Sequence, residues 1–184
     1  SVAPYNYYKR DLGAKSNVVT IDIGGGTTDV FVVEENKPSL LSSFRFAANS
    51  VFGDGYNFPI TDNGFVNAFK NEIAGCLDAN GLNDLKGALN SIESSADSSN
   101  DIIAFYFSLA SNKSLRNKNR IDFLQMLDKD DKLRYPFIVF YGAIIYYVAS
   151  MMKANRLNLP QTIAFSGKGS KTMKVLSTDK KTLA

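Results

Sequence analysis

The run Asp22-Ile23-Gly24-Gly25-Gly26-Thr27-Thr28-Asp29 holds the densest set of residues able to do chemistry. Three consecutive glycines carry no side chains, so a ligand can approach the backbone closely. Successive N–H groups in such a turn converge into a nest for an anion. Thr27 and Thr28 add hydroxyl donors, and Asp22 and Asp29 bring a carboxylate to either side of the turn. Carboxylates beside an anion cradle call for a cation between them. Mg²⁺, which keeps most of its waters, suits that place. A plain glycine-rich hairpin with capping aspartates is the simpler alternative, but a hairpin turn needs only one or two glycines. A Walker-type loop is excluded because no Gly-Lys-Ser/Thr follows. A dinucleotide fingerprint is excluded because no helix-forming run follows the glycines.

The elements around this run must hold it. Residues 18–23 are β-branched or apolar at nearly every position, which predicts a strand covered on both faces. Residues 29–34 predict a second strand, residues 35–38 a turn and residues 39–47 a third strand. Their short connections imply an antiparallel meander. Residues 52–63 read as a loop, with Thr61 or Asp62 capping a helix over 65–77. Further helices are expected over 83–92, 101–109 and 121–127. The serine-rich stretch 93–100 reads as a mobile loop. Residues 159–166 predict a return strand, 167–169 a glycine turn and 170–176 a helix. Tyr5 to Asp11 reads as a helix end stopped by Gly13. Strands, then helices, then a strand and helix together predict an α/β fold.

Composition narrows the function classes. Net charge is +3 with the basic residues scattered, so no nucleic-acid partner is expected. The absence of histidine excludes a His base, triad or His metal site within the chain. A single cysteine, Cys76, excludes an internal disulfide and fits a reducing compartment, hence the cytoplasm. No signal peptide is visible in residues 1–10, and both ends read as cut from something longer. Residues 136–152 are apolar throughout but fall short of the ~20 residues of a spanning helix. They predict a helix buried between other elements, with Pro136 in its first turn, and no membrane span.

The segment from Val18 through Val30 resembles the second phosphate motif of the actin, sugar-kinase and heat-shock-chaperone ATPase superfamily. Three more segments are similar to that family. Leu159-Pro160-Gln161-Thr162-Ile163-Ala164-Phe165-Ser166-Gly167-Lys168-Gly169-Ser170 resembles its adenosine motif. Val2 to Tyr8 resembles the interlobe hinge helix, and Phe52-Gly53-Asp54-Gly55-Tyr56 falls where chaperone relatives carry a glycine-rich loop. The resemblance implies a ribonuclease H-like second lobe: a three-stranded antiparallel meander plus a parallel return strand, helices on both faces and a helical insertion. Residues 1–12 would be the hinge remnant, 17–62 and 132–184 the sheet-containing core, and 63–131 the helices that include the insertion.

The same resemblance implies a parent protein that binds ATP or ADP with Mg²⁺ between two lobes, and couples slow hydrolysis to conformational change or assembly. Gly24, Gly25, Gly26, Thr27 and Thr28 would hold phosphates. Gly167, Lys168, Gly169 and Ser170 would hold adenosine, and Asp22 and Asp29 the hydrated metal. Lys168 departs from the family's run of glycines. The first phosphate motif and the second hinge helix have no counterpart here, so the first lobe is the implied partner and no catalytic set is complete. A small-molecule kinase lobe and a hydrolysis-silent scaffold are the alternatives.

Lesser candidates carry plainer readings. Lys113, Arg116, Lys118 and Arg120 could flank a purine or simply be solvated. Phe105, Tyr106 and Phe107 read as core, Cys76 as a buried thiol, and Asp128, Asp130 and Asp131 lack the rest of a calcium loop.

Overall fold

A computed structural model describes residues 17–53, 60–95, 99–112, 115 and 121–177. The hinge segment, residues 54–59, the basic run 116–120 and Lys113 lie outside them. The chain divides into two compact units, residues 1–48 with 135–184, and residues 49–134.

The first unit is built on a four-stranded sheet in the order β3-β2-β1-β4. β1 (Val18–Ile23) pairs antiparallel with β2 (Thr28–Glu34), and β2 pairs antiparallel with β3 (Lys37–Phe44). β4 (Thr162–Ser166) returns parallel to β1. The meander and parallel return strand therefore form as expected. β3 starts earlier and ends sooner than the residue types suggest. The β2–β3 loop is only Glu35-Asn36, both left-handed at φ 49° and 66°. That is the two-residue hairpin geometry whose twist matches the strands, and it draws Lys37 and Pro38 into the ladder.

Side chains alternate across β1, yet both faces are buried. Val19, Ile21 and Ile23 point one way, with Val30 and Val32 beside them; Val18 points the other, with Phe31 and Val33. This is why the strand is apolar without a period of two. The long helix that follows the second unit, α6 (Arg134–Ala154), lies on the Val19 face. Phe140, Tyr141, Ile144, Val148 and Met152 are buried at spacings of three and four, the stripe of a helix seated on a surface. Phe46 meets Phe140 at 5.2 Å between ring centroids, and Tyr147 meets Phe44 at 4.4 Å.

Residues Asp131–Ala154 are long and apolar enough, by length and composition, to cross a membrane. In the structure one stripe of α6 covers the sheet instead. The expectation of a helix buried between other elements needs correcting on the remaining side. Tyr135, Ile138, Val139 and Tyr146 are all more than half exposed.

The second unit holds α1 (Ala48–Val51, which begins at the boundary), α2 (Gly64–Ala79), α3 (Asn83–Ser95), α4 (Ser99–Leu109) and α5 (Phe123–Lys129). The helical unit thus begins near residue 49, before the expected 63. The reason is Phe52, whose ring packs edge-on against Phe65 and Phe107 at 5.0 and 5.5 Å. Phe123, fully buried, gathers Phe69, Tyr106 and Phe107 at 5.0–5.3 Å. Tyr106 and Phe107 belong to this core.

Three local expectations change. Asn63, not Thr61 or Asp62, caps α2 by accepting the Val66 N–H at 3.0 Å. The serine-rich stretch is helical as far as Ser95, because Lys70 pairs with Glu93 at 2.8 Å and Ser94 and Ser95 both donate to the Ser91 carbonyl. Cys76 is half-buried rather than enclosed. The acidic residues near 130 have structural partners: Asp130 caps a 3₁₀ turn through the Lys132 N–H, and Asp131 pairs with Arg134.

Candidate functional site

The register of the sheet draws four polar side chains into one row. Ser166 of β4 stands beside Asp22 of β1, Asp22 beside Asp29 of β2, and Asp29 beside Ser43 of β3. All four project from the same face at the end of the sheet where the glycine turns emerge. Ser43 donates to Asp29 Oδ1 at 2.6 Å. Ser166 Oγ is buried with no hydrogen-bond partner. Two carboxylates directly opposite on neighbouring strands repel one another unless something positive stands between them. The sequence pointed to Asp22 and Asp29; it did not point to Ser43 and Ser166, because only strand pairing reveals them.

The turn from Gly24 to Thr27 is closed by the Gly24 N–H donating to the Thr27 carbonyl at 2.9 Å. Gly25, Gly26 and Thr27 are exposed, and no backbone bond takes up their N–H groups among the described residues. None of the three glycines has a positive φ, and a Cβ on Gly26 would meet nothing within 4 Å. The three glycines lie in the turn between β1 and β2, and at Gly26 neither backbone conformation nor packing demands a glycine.

Thr28 differs from Thr27. It is fully buried on the α6 side, and its hydroxyl donates to the Phe46 carbonyl at 2.7 Å. Its side chain therefore anchors the return of the chain after β3 and is not free to meet a phosphate, as the sequence reading had it.

The second glycine turn reaches the same end of the sheet, because β4 runs parallel to β1. Gly167, at φ 85°, lies directly against Asp22 Oδ1 and the Ile23 carbonyl, and Gly169 lies against Ile23 and the Gly24 carbonyl. These two glycines are required by packing of turn on strand, which differs from an open cradle for adenosine. Lys168 is exposed. Ser170 donates to the Gly167 carbonyl at 2.8 Å, inside the 3₁₀ helix Gly169–Leu176, where an α-helix was expected.

Tyr141 of α6 secures this turn. Its hydroxyl lies 2.8 Å from Thr172 Oγ1 and donates towards the Gly169 carbonyl at 3.2 Å. Burial pushes the Tyr141 hydroxyl up to about 12, against a downward pull from its Thr172 hydrogen bond. Burial, with Glu93 nearby, also pushes Tyr106 up to about 12. Both phenols are held neutral by the fold, so their contribution to stability is complete below about pH 10 and is lost as pH rises towards about 12. Two tyrosines should consequently ionise late in an ultraviolet titration of tyrosinate, and unfolding should accompany them. If all the tyrosines titrate together near the ordinary phenol value while the chain stays folded, this account of Tyr106 and Tyr141 fails.

The donor set suits a hydrated cation better than a dry cage. Two carboxylates and two hydroxyls share one face, and no group of three or more acidic, cysteine or histidine side chains gathers anywhere among the described residues. Mg²⁺ held through one or two carboxylates and its own waters matches that set.

No protein-family model matches the chain, and no curated protein matches it. Among solved structures, it is similar to the crystal structure of an archaeal actin homolog, with 11% identity and a TM-score of 0.43. The match covers 98% of this chain and 48% of that one, so the chain spans about half the length of the homolog.

Proposed function

We propose that this chain is the nucleotide-binding lobe of an actin-like or chaperone-like ATPase. ATP with Mg²⁺ would lie between it and a first lobe, and slow hydrolysis would drive conformational change or assembly. The observation that carries the reading is the placement of Asp22 and Asp29 side by side, beneath an exposed turn whose Gly26 no packing or backbone constraint requires. The free N–H groups of Gly25, Gly26 and Thr27 would donate to phosphate oxygens. Asp22 and Asp29 would accept from the waters of the ion, with Ser43 holding Asp29 in place. The ion itself would neutralise phosphate charge, the main requirement of phosphoryl chemistry. Lys168 would reach a phosphate or the ribose from the second turn.

On this reading the chain alone is half a clamp. Its phosphate contacts stay in water, where the high dielectric weakens them, and the donors that meet developing charge belong to the other lobe. Mg-ATP should bind with a dissociation constant of about 1 mM, near −4 kcal/mol, and no phosphate should be released. Paramagnetic Mn²⁺ in an NMR titration should broaden the amides of residues 22–29 and 166–169 first. Asp22→Asn with Asp29→Asn should remove that broadening. Broadening confined to other acidic side chains would sink the site. Micromolar binding or turnover by this chain would mean that it needs no second lobe.

A further inference from the structure

The row of polar side chains at the end of the sheet is only half bonded. Asp29 is fixed at one oxygen by the Ser43 hydroxyl, 2.6 Å away. Asp22 has no such donor: among the described residues, no hydrogen bond or ion pair reaches its carboxylate. Its neighbour on the other side, Ser166, is the converse. Ser166 Oγ is buried and has no hydrogen-bond partner. An acceptor without a donor thus stands beside a donor without an acceptor.

A buried hydroxyl left unpaired is destabilising, and most such groups in folded chains are paired. Alanine would fill the same strand position without that cost. The oxygen is already enclosed by the chain, so its partner must be a neighbour in the row or something that enters the row. Asp22 is the nearest fit. The two residues are direct partners on strands about 4.8 Å apart, with side chains on one face.

The position of the Asp22 carboxylate explains why the bond is not made. Its Oδ1 lies against Gly167, on the β4 side and away from Asp29. Like charge directly opposite on β2 favours that direction. The terminal torsion of an aspartate is broad, so the carboxylate turns at little cost once the repulsion is removed.

We infer that Ser166 is a positioning residue for Asp22. The inference rests on the reading that Asp22 and Asp29 together hold a hydrated cation. With a cation between the carboxylates, Asp22 turns into the line of the row, and Ser166 donates to it as Ser43 donates to Asp29. Each carboxylate then has one oxygen fixed by a serine and the other turned towards the waters of the ion. Hydrogen-bond partners of this kind orient metal-binding carboxylates and raise affinity.

The measurement is the Mn²⁺ affinity of the full chain, read from amide broadening in residues 22–29. Ser166→Ala should weaken it roughly tenfold, the lower end of what such partners contribute. The melting temperature without the ion should stay unchanged or rise, because the variant discards an unpaired hydroxyl. The effect should act through Asp22. In an Asp22→Ala background Ser166→Ala should cost nothing further, whereas in an Asp29→Ala background it should cost the same factor. On adding Mg²⁺ the Ser166 Cβ resonance, a reporter of its rotamer, should shift further than that of Ser43, whose bond is already made. Unchanged Mn²⁺ affinity in Ser166→Ala, an equal loss in the Asp22→Ala background or a stationary Ser166 Cβ would overturn the role of Ser166 and leave the cation reading standing. A melting temperature that falls together with the affinity would also overturn it, by making Ser166 a plain core serine. If residues 22–29 of the unaltered chain take up no Mn²⁺, both readings fail.

Discussion

Replacing Gly167 with alanine is expected to destabilise the first unit by roughly 3 kcal/mol, the sum of an overpacked contact and a left-handed backbone. The added Cβ falls directly on Asp22 Oδ1 and on the Ile23 carbonyl, and neither neighbour is the free end of a long side chain. The φ of 85° penalises any side chain there even without the collision. Gly26→Ala is the matched control. Its Cβ meets nothing within 4 Å and its backbone needs no glycine, so its stability should change by no more than about 0.5 kcal/mol. Urea unfolding followed by circular dichroism measures both. In a nucleotide titration normalised to folded protein both variants should lose affinity, Gly26→Ala because its Cβ crowds the approach to the turn and Gly167→Ala because its Cβ displaces the Asp22 carboxylate. Equal losses of stability would mean that the turns do not pack as described.

This contrast also marks what could be read from residue order alone. β1 and β2 were legible because their apolar, β-branched runs are long and bounded by glycines. The carboxylates at Asp22 and Asp29 were legible because they close and open those runs. The order of the strands could be anticipated, but what depended on the register between them was hidden. Ser43 and Ser166 join the row only through register, and Gly167 and Gly169 owe their glycine to a strand far away in sequence. Thr28 looked like Thr27 until alternation turned its hydroxyl to the buried side. Tyr141 was concealed in an apolar helix whose tyrosines all look alike, although only this one reaches Thr172 and the carbonyls of the turn. The turn at 35–38 was read two residues too long because neither Glu35 nor Asn36 is the glycine that usually signals a two-residue hairpin. The exposed side of α6 was hidden for a related reason. Its composition is apolar on every side, and only packing distinguishes the stripe on the sheet from the residues left outside.

The second unit should respond most to Phe123→Ala. Phe123 is fully buried, and its ring touches Phe69, Tyr106 and Phe107 edge-on, with Phe52 at 6.3 Å. Truncating it removes a fully buried side chain of α5 that packs on both α2 and α4. The transfer loss and the cavity together cost about 3–5 kcal/mol for a large aromatic. Its edge-to-face contacts add something beyond buried area. That is a large share of the 5–15 kcal/mol that holds an ordinary domain folded. Phe123→Leu, which refills part of the space, should recover about half of the loss. Hydrogen exchange separates the possible outcomes by place. If the helices draw their stability from this aromatic cluster, amides of α2, α4 and α5 should lose protection at low denaturant while those of β1 and β2 keep theirs, as expected of separate cooperative units. Equal loss in the strands would show that the two units unfold as one. A loss below about 1 kcal/mol would show that the cluster closes over the gap, and that Phe123 is not the centre of this core.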